Sequence, residues 1–293
     1  MPSYAYEVKN ELARIFDEDQ EILRAELAAL LKVGAFISED RAEFANSNAA
    51  VARKVITLAK KLFPGAKIEI AAVRTKKLRK TMRYVVRIFS TPETEFFLKN
   101  LDSSGHTRRR IFKIAWLRGA FLAGGTVNRP ESHYRLEIAS ENEDTSNFAL
   151  KLLNQLEFNA TVYERGNDFV VYIREGDMIC DFLGMTGAAA AAERFEIARN
   201  VKEVRSQVNR IVNCETANVD KAVNAAQRQL EDIKILIAAN VRVKEILRQA
   251  MKIRLDNPDC TVGELAEKIF LSRPALMYRF KMIHKLAEET KLK

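Results

Sequence analysis

The feature that most constrains this chain is a repeat: after an opening helix, the sequence describes nearly the same series of elements twice. The opening helix is expected from about Ser3 to Ile15, with Val8, Leu12 and Ile15 on one face. The first copy then has a helix ending in Gly34-Ala35-Phe36-Ile37, and the second has one ending in Gly119-Ala120-Phe121-Leu122. Each leads through a short hairpin to Ala45-Asn46-Ser47-Asn48 or Ala139-Ser140-Glu141-Asn142, and on to an amphipathic helix predicted over Ala49–Phe63 or Thr145–Phe158. Alternation and β-branched content predict two strands next, Lys67–Arg74 with Tyr84–Ser90, and Ala160–Glu164 with Phe169–Arg174. A short helix closes each copy, Glu93–Leu101 or Asp177–Leu183. Two αββαββα units in tandem are expected to pair about a pseudo-two-fold axis. Small residues at helical spacing, Gly34, Ala35 and Ser38 in one copy and Gly119, Ala120, Ala123 and Gly124 in the other, predict close approach of the two helices.

This gives an α+β domain over residues 1–185 and leaves 186–293 as an all-helical domain. Hydrophobic residues at 47% and charged residues at 30% exclude a disordered chain. No apolar run approaches the length of a membrane span and the N-terminus lacks a signal-peptide pattern, so a cytoplasmic protein is expected. The three cysteines, Cys180, Cys214 and Cys260, match no metal-binding spacing, and no metal, cofactor or small-molecule substrate is expected.

The net charge of +9 is unevenly distributed. Residues 1–50 carry a net −5, 51–113 a net +13, 114–200 a net −5 and 201–293 a net +6. Two basic blocks alternating with two acidic ones suit two separate surfaces facing a polyanion. The first basic block holds Arg74, Lys76, Lys77, Arg79, Lys80, Arg83 and Arg87, on or between two strands with no acid among them. Such a hairpin suits a phosphate backbone, where each contact releases counterions; it also suits a solvated surface.

The second basic block ends in a predicted helix-turn-helix. Thr261-Val262-Gly263-Glu264 is a capping box, and Leu265, Ala266 and Ile269 supply an apolar face. Phe270-Leu271 makes the turn, and Ser272 caps a second helix with Pro274 near its start, where a missing amide costs nothing. Leu276, Phe280 and Ile283 are expected to face inward, leaving Arg273, Ala275, Met277, Tyr278, Arg279 and Lys281 around the outward part. A recognition helix reads base edges from that position, with Arg addressing guanine and apolar groups addressing thymine methyls. Upstream, helices are expected over Glu193–Val212, Val219–Ala239 and Arg242–Leu255, with a polar break at Asn213–Asn218. The stretch Val204–Asn218 is rich in Asn, Gln and Arg, including Arg205, Asn209 and Arg210, and suits either phosphate contact or capping of the break.

The duplicated unit resembles the LAGLIDADG homing endonucleases, in which two such helices pack at the centre and the sheets saddle DNA. Leu117-Arg118-Gly119-Ala120-Phe121-Leu122-Ala123-Gly124-Gly125 fits the shape of that motif, with Gly124 in place of its essential acid and Glu39 at the matching position of the first copy. Cleavage by these enzymes needs a carboxylate from each helix to hold paired metal ions.

Along its whole length the chain resembles the WhiA family of sporulation and cell-division regulators. The segments that carry the likeness are Tyr6-Glu7-Val8-Lys9-Asn10-Glu11-Leu12, Leu117–Gly125, and Asn209-Arg210-Ile211-Val212-Asn213 with Thr216-Ala217-Asn218. Against the family's recognition helix Ser272 and Arg279 match and Arg273 is a basic substitute, while Met277 and Tyr278 replace Asn and His. The resemblance implies a nucleoid-associated transcription regulator of sporulation or division genes that binds double-stranded DNA and contacts RNA polymerase or its sigma factor. An active homing endonuclease, against which Gly124 stands, and a protein-interaction adaptor are the rival readings.

Overall fold

A computed structural model describes residues 3–74, 82–101 and 109–292. The chain forms two compact units, Met1–Glu203 and Val204–Lys293.

In the first unit, α1 (Tyr4–Leu12) starts where the Ser3 hydroxyl accepts the Tyr6 amide. The first copy then runs α2 (Gln20–Gly34), β1 (Ala35–Ile37), β2 (Arg41–Asn46), α3 (Ala49–Leu62), β3 (Ile68–Arg74), β4 (Met82–Phe89) and α4 (Pro92–Lys99). The second repeats it as α5 (Arg110–Gly124), β5 (Gly125–Val127), β6 (Leu136–Ser140), α6 (Glu143–Gln155), β7 (Thr161–Arg165), β8 (Asp168–Ile173) and α7 (Gly176–Thr186). Both copies form an antiparallel four-stranded sheet with the same order, β1-β2-β4-β3 and β5-β6-β8-β7.

Local chemistry explains the matching elements. Asn48 caps α3 by accepting from the amides of Ala50 and Val51, and Asn142 caps α6 by accepting from that of Thr145. Val51, Val55, Leu58 and Leu62 recur at helical spacing and are buried. Alternate strand residues such as Ala42 and Phe44, and Val86 and Ile88, join the same core. The unit runs past residue 185 because Ala188, Ala191 and Phe195, around the start of the next helix, are buried in it.

At the centre α2 and α5 lie against each other. A β-carbon on Gly119 would fall 2.3 Å from the Glu26 carbonyl oxygen and 3.0 Å from the Ala29 β-carbon, so only glycine permits this approach. Beside this contact lies a buried charge cluster. Glu26 accepts from Arg118 Nε at 2.9 Å and Nη2 at 3.0 Å and pairs with Lys54 Nζ at 2.6 Å. Lys54 also donates to the carbonyls of Leu12 at 3.1 Å and Ile15 at 2.5 Å, tying α3 to the end of α1. Burial pushes the Lys54 ammonium below its usual range against the attraction of Glu26.

Two expectations are corrected here. The repeats align differently from the Gly-Ala-Phe match: α2 and α5 end at Gly34 and Gly124, and Ala35 and Gly125 are their C-caps. Ala35 and Ser38 therefore lie beyond α2 and take no part in its face. Glu39 is exposed between β1 and β2, where Ser38 Oγ donates to Asp40 at 2.7 Å. Gly34, not Glu39, is the counterpart of Gly124. The polar break at Asn213–Asn218 is absent as well: α8 runs unbroken over Ala189–Ala238.

The second unit contains the remainder of α8, then α9 (Glu245–Asp256), α10 (Val262–Lys268) and α11 (Arg273–Lys291). Ile233, Leu236, Leu247, Leu265, Leu276 and Ile283 belong to its core. Arg254, 1% exposed, organises the α9–α10 connection. Its Nη1 donates to Cys260 O at 2.6 Å and to the carbonyls of Asn257 and Pro258 at 3.3 Å, while its Nε donates to Gln229 Oε1 at 2.9 Å. Burial pushes this guanidinium down from its usual range.

Candidate nucleic-acid interface

The helix-turn-helix is set by four local devices. Thr261 Oγ1 accepts the Glu264 amide at 3.3 Å, and Glu264 Oε2 accepts the Thr261 amide at 2.7 Å, which closes the capping box of α10. Phe270 turns the chain at φ 55° and the Leu271 amide donates back to Ala266 O at 2.9 Å. Ser272 Oγ then accepts the Ala275 amide at 3.4 Å, and Pro274 occupies the first turn of α11. Leu276, Phe280 and Ile283 bury the inner face.

On the other side Ser272, Arg273, Met277, Tyr278 and Lys281 are exposed and Ala275 is half-buried. Arg279 differs from its neighbours: it is half-buried and its Nη1 donates to Ile246 O at 3.3 Å, bracing α11 against α9. Arg205, Asn209 and Arg210 are exposed on α8. A cleft of 780 Å3 lies within the second unit, with Arg273, Met277 and Lys281 on its α11 side and Lys221, Ala225 and Arg228 on its α8 side. Sequence reading missed Lys221 and Arg228; both fall inside the helix predicted over Val219–Ala239 at a spacing that puts them on one face, but only the packing of the unit sets that face opposite α11.

In the first unit Arg74 and Arg83 are exposed at the facing ends of β3 and β4. Lys76, Lys77, Arg79 and Lys80 lie outside the described residues. Arg87 is not a free cation, since its Nε pairs with Glu43 Oε2 at 2.8 Å; that hydrogen bond raises its pKa further. In the second sheet Glu137 accepts from Arg165 Nη1 at 2.9 Å and Tyr163 OH at 3.1 Å and also pairs with Arg135. Burial alone would raise its carboxyl, but these donors hold it below the usual range. Each sheet thus carries a glutamate that neutralises arginine.

The ends of α2 and α5 leave no space for a carboxylate. A β-carbon on Gly124 would meet Ala139 O at 2.1 Å and Val33 Cγ1 at 2.7 Å, and one on Gly34 would meet Phe44 Cε2 at 2.6 Å. Among the described residues, the grouping of metal-type donors is elsewhere, Asp232, His284 and Glu288. There His284 Nδ1 lies 2.8 Å from Asp232 Oδ2, and Glu288 is paired with Lys291 at 2.7 Å.

Three family models cover most of the chain: the WhiA N-terminal LAGLIDADG-like domain over residues 20–102, the WhiA LAGLIDADG-like domain over 113–205, and the WhiA C-terminal HTH domain over 208–287. The chain belongs to the WhiA family. A relative from Desulforamulus reducens, named "Probable cell division protein WhiA", is 39% identical over 98% of this chain and 96% of its own length. A relative from Staphylococcus carnosus with the same name is 36% identical over 98% of this chain and 97% of its own. The crystal structure of full-length DUF199/WhiA from Thermatoga maritima matches at a TM-score of 0.62 and 25% identity, covering 98% of this chain and 99% of that one. The WhiA architecture of a duplicated LAGLIDADG-like domain followed by a helix-turn-helix is therefore that of this chain. Among the described residues, no helix is long and apolar enough to cross a membrane.

Proposed function

We propose that this chain is a nucleoid-associated regulator that binds specific sequences in double-stranded DNA and controls transcription of sporulation or cell-division genes, without catalysing a reaction. The observation that carries this reading is the start of α11, where Arg273, Met277, Tyr278 and Lys281 are exposed above an inner face that fixes the helix. An arginine and a methionine there suit guanine and thymine edges in a major groove. Ser272 and Ala275 flank that surface, while Arg279 has a competing partner in Ile246. Arg205, Asn209 and Arg210, with Arg74, Arg83 and the cations between them in sequence, act on phosphates and fix position without reading sequence. RNA polymerase or a sigma factor is the protein partner.

The non-enzymatic reading is supported by glycine at the end of both central helices, which leaves a paired-metal site without its acids. The cell-division name of the relatives supports the class of target genes. Selection of bound sequences from random duplex DNA is the test. One motif should be enriched, and Arg273→Ala should weaken binding to it by about 1–3 kcal/mol while sparing random duplex. A selected pool no different from its input would overturn the proposal.

A further inference from the structure

We infer that the cleft between α8 and α11 receives one strand of the duplex, with Lys221 and Arg228 of α8 as phosphate contacts opposite the recognition helix. This rests on the helix-turn-helix reading above and extends the DNA interface to the helix that precedes the motif.

The two walls carry cations at matching intervals. Lys221, Ala225 and Arg228 fall on one face of α8, and Arg273, Met277 and Lys281 fall on one face of α11. Among the described residues, Lys221, Arg228, Arg273 and Lys281 have no carboxylate within ion-pair distance. The acid in the lining, Asp232, is buried and already held by His284 at 2.8 Å. Four cations face one cleft whose lining acid, Asp232, is buried against His284, so the lining has a net positive charge that an anionic guest would balance.

Their spacing selects a polyanion over a single phosphate. At 1.5 Å per residue, Lys221 and Arg228 are about 10 Å apart along α8, and Arg273 and Lys281 about 12 Å apart along α11. A DNA strand places a charge about every 3.4 Å of axis, so the Lys221–Arg228 pair spans roughly three steps of one strand. Ala222 and Ala225 keep long side chains off the α8 wall between the cations, leaving room for a sugar-phosphate chain. With α11 in the groove, the α8 wall faces the strand that borders it.

The test is the full chain carrying Lys221→Gln and Arg228→Gln, measured by fluorescence anisotropy. Its probes are a duplex enriched by the parent from a random pool and an unselected random-sequence duplex. Both positions are exposed, so folding is unaffected and the melting temperature should match that of the parent. Affinity should fall alike on both probes, and the salt slope should become shallower by about 1.8, at about 0.9 per phosphate neutralised. Between about 50 and 200 mM salt, that makes the drop in affinity roughly tenfold smaller than for the parent. Lys234→Gln, exposed on the same helix but outside the cleft lining, should change neither quantity. If the double variant behaves like Lys234→Gln while Arg273→Ala weakens binding, the cleft assignment fails and the helix-turn-helix reading stands. If Arg273→Ala is also without effect, both fail together.

Discussion

A β-carbon built on Gly124 falls 2.1 Å from a backbone oxygen, and backbone cannot step aside as the end of a side chain can. An acid placed there would have to displace β6 from α5. Gly124→Asp is therefore expected to lose stability by about 1–3 kcal/mol or more, read from the urea midpoint, and to gain no metal-dependent nicking of supercoiled DNA. Nicking by that variant with magnesium or manganese would show that the space exists after all. A second residue makes a prediction about pH. Burial pushes the Lys9 ammonium down to about 8, against about 10.4 for a free lysine. Below about pH 8 both folded and unfolded chains hold this proton, and the folded chain bears the full cost of burying it. Between the two values the unfolded state binds more protons, so the Lys9 contribution to stability rises with pH. Lys9→Met should be more stable than the parent at about pH 7, with the gap closing toward about pH 10. A gap in melting temperature that stays constant over that range would refute the assignment.

The turn between α10 and α11 shows what a sequence reveals about an element and what it hides. Thr261, Glu264, Ser272 and Pro274 announce both helix starts, and the turn falls at Phe270 and Leu271 as their spacing predicts. The backbone of Phe270 was not legible: the residue sits at φ 55° and is 96% exposed, an arrangement costly for a bulky residue. Phe270→Asn is expected to stabilise the protein by about 1 kcal/mol, since asparagine tolerates this conformation. Denaturation giving no gain, or a loss, would mean that the phenyl ring has a stabilising contact. Two other elements differ from the sequence expectation for physical reasons. Asn213 to Asn218 suggest a break, yet each such residue costs only a few tenths of a kcal/mol in a helix, and α8 contains neither glycine nor proline to stop it. The repeated Gly-Ala-Phe string suggests the wrong alignment of the two copies, because small residues serve both a helix crossing and a helix end. The capping asparagines Asn48 and Asn142 are the better guide, since each fixes a helix start. Likewise, the charge run through Arg87 does not reveal that Glu43, distant in sequence, lies opposite it across β2 and β4.

Over the whole molecule, the alternation of charge makes the proposed function testable as two roles, positioning and reading. The block 51–113 has a net +13 and the block 201–293 a net +6, while the helix-turn-helix lies only in the second. Once Arg87 is assigned to Glu43, the cations of the Arg74–Arg87 run that the proposed function places on DNA are Arg74, Arg83 and those between them in sequence. That segment has lysine and arginine but no asparagine or glutamine to address a base edge. Its contribution should therefore be independent of sequence. Replacing Lys76, Lys77, Arg79 and Lys80 together with glutamine should weaken binding to selected and random duplexes by the same factor. The salt slope should become shallower by about 0.9 for each phosphate that is no longer neutralised, up to about 3.6 for all four. The motif enriched from a random pool should stay that of the parent, because α11 is untouched. An unchanged slope would make the segment a solvated surface, whereas an altered motif would make it a reader of bases and move part of the specificity into the first unit.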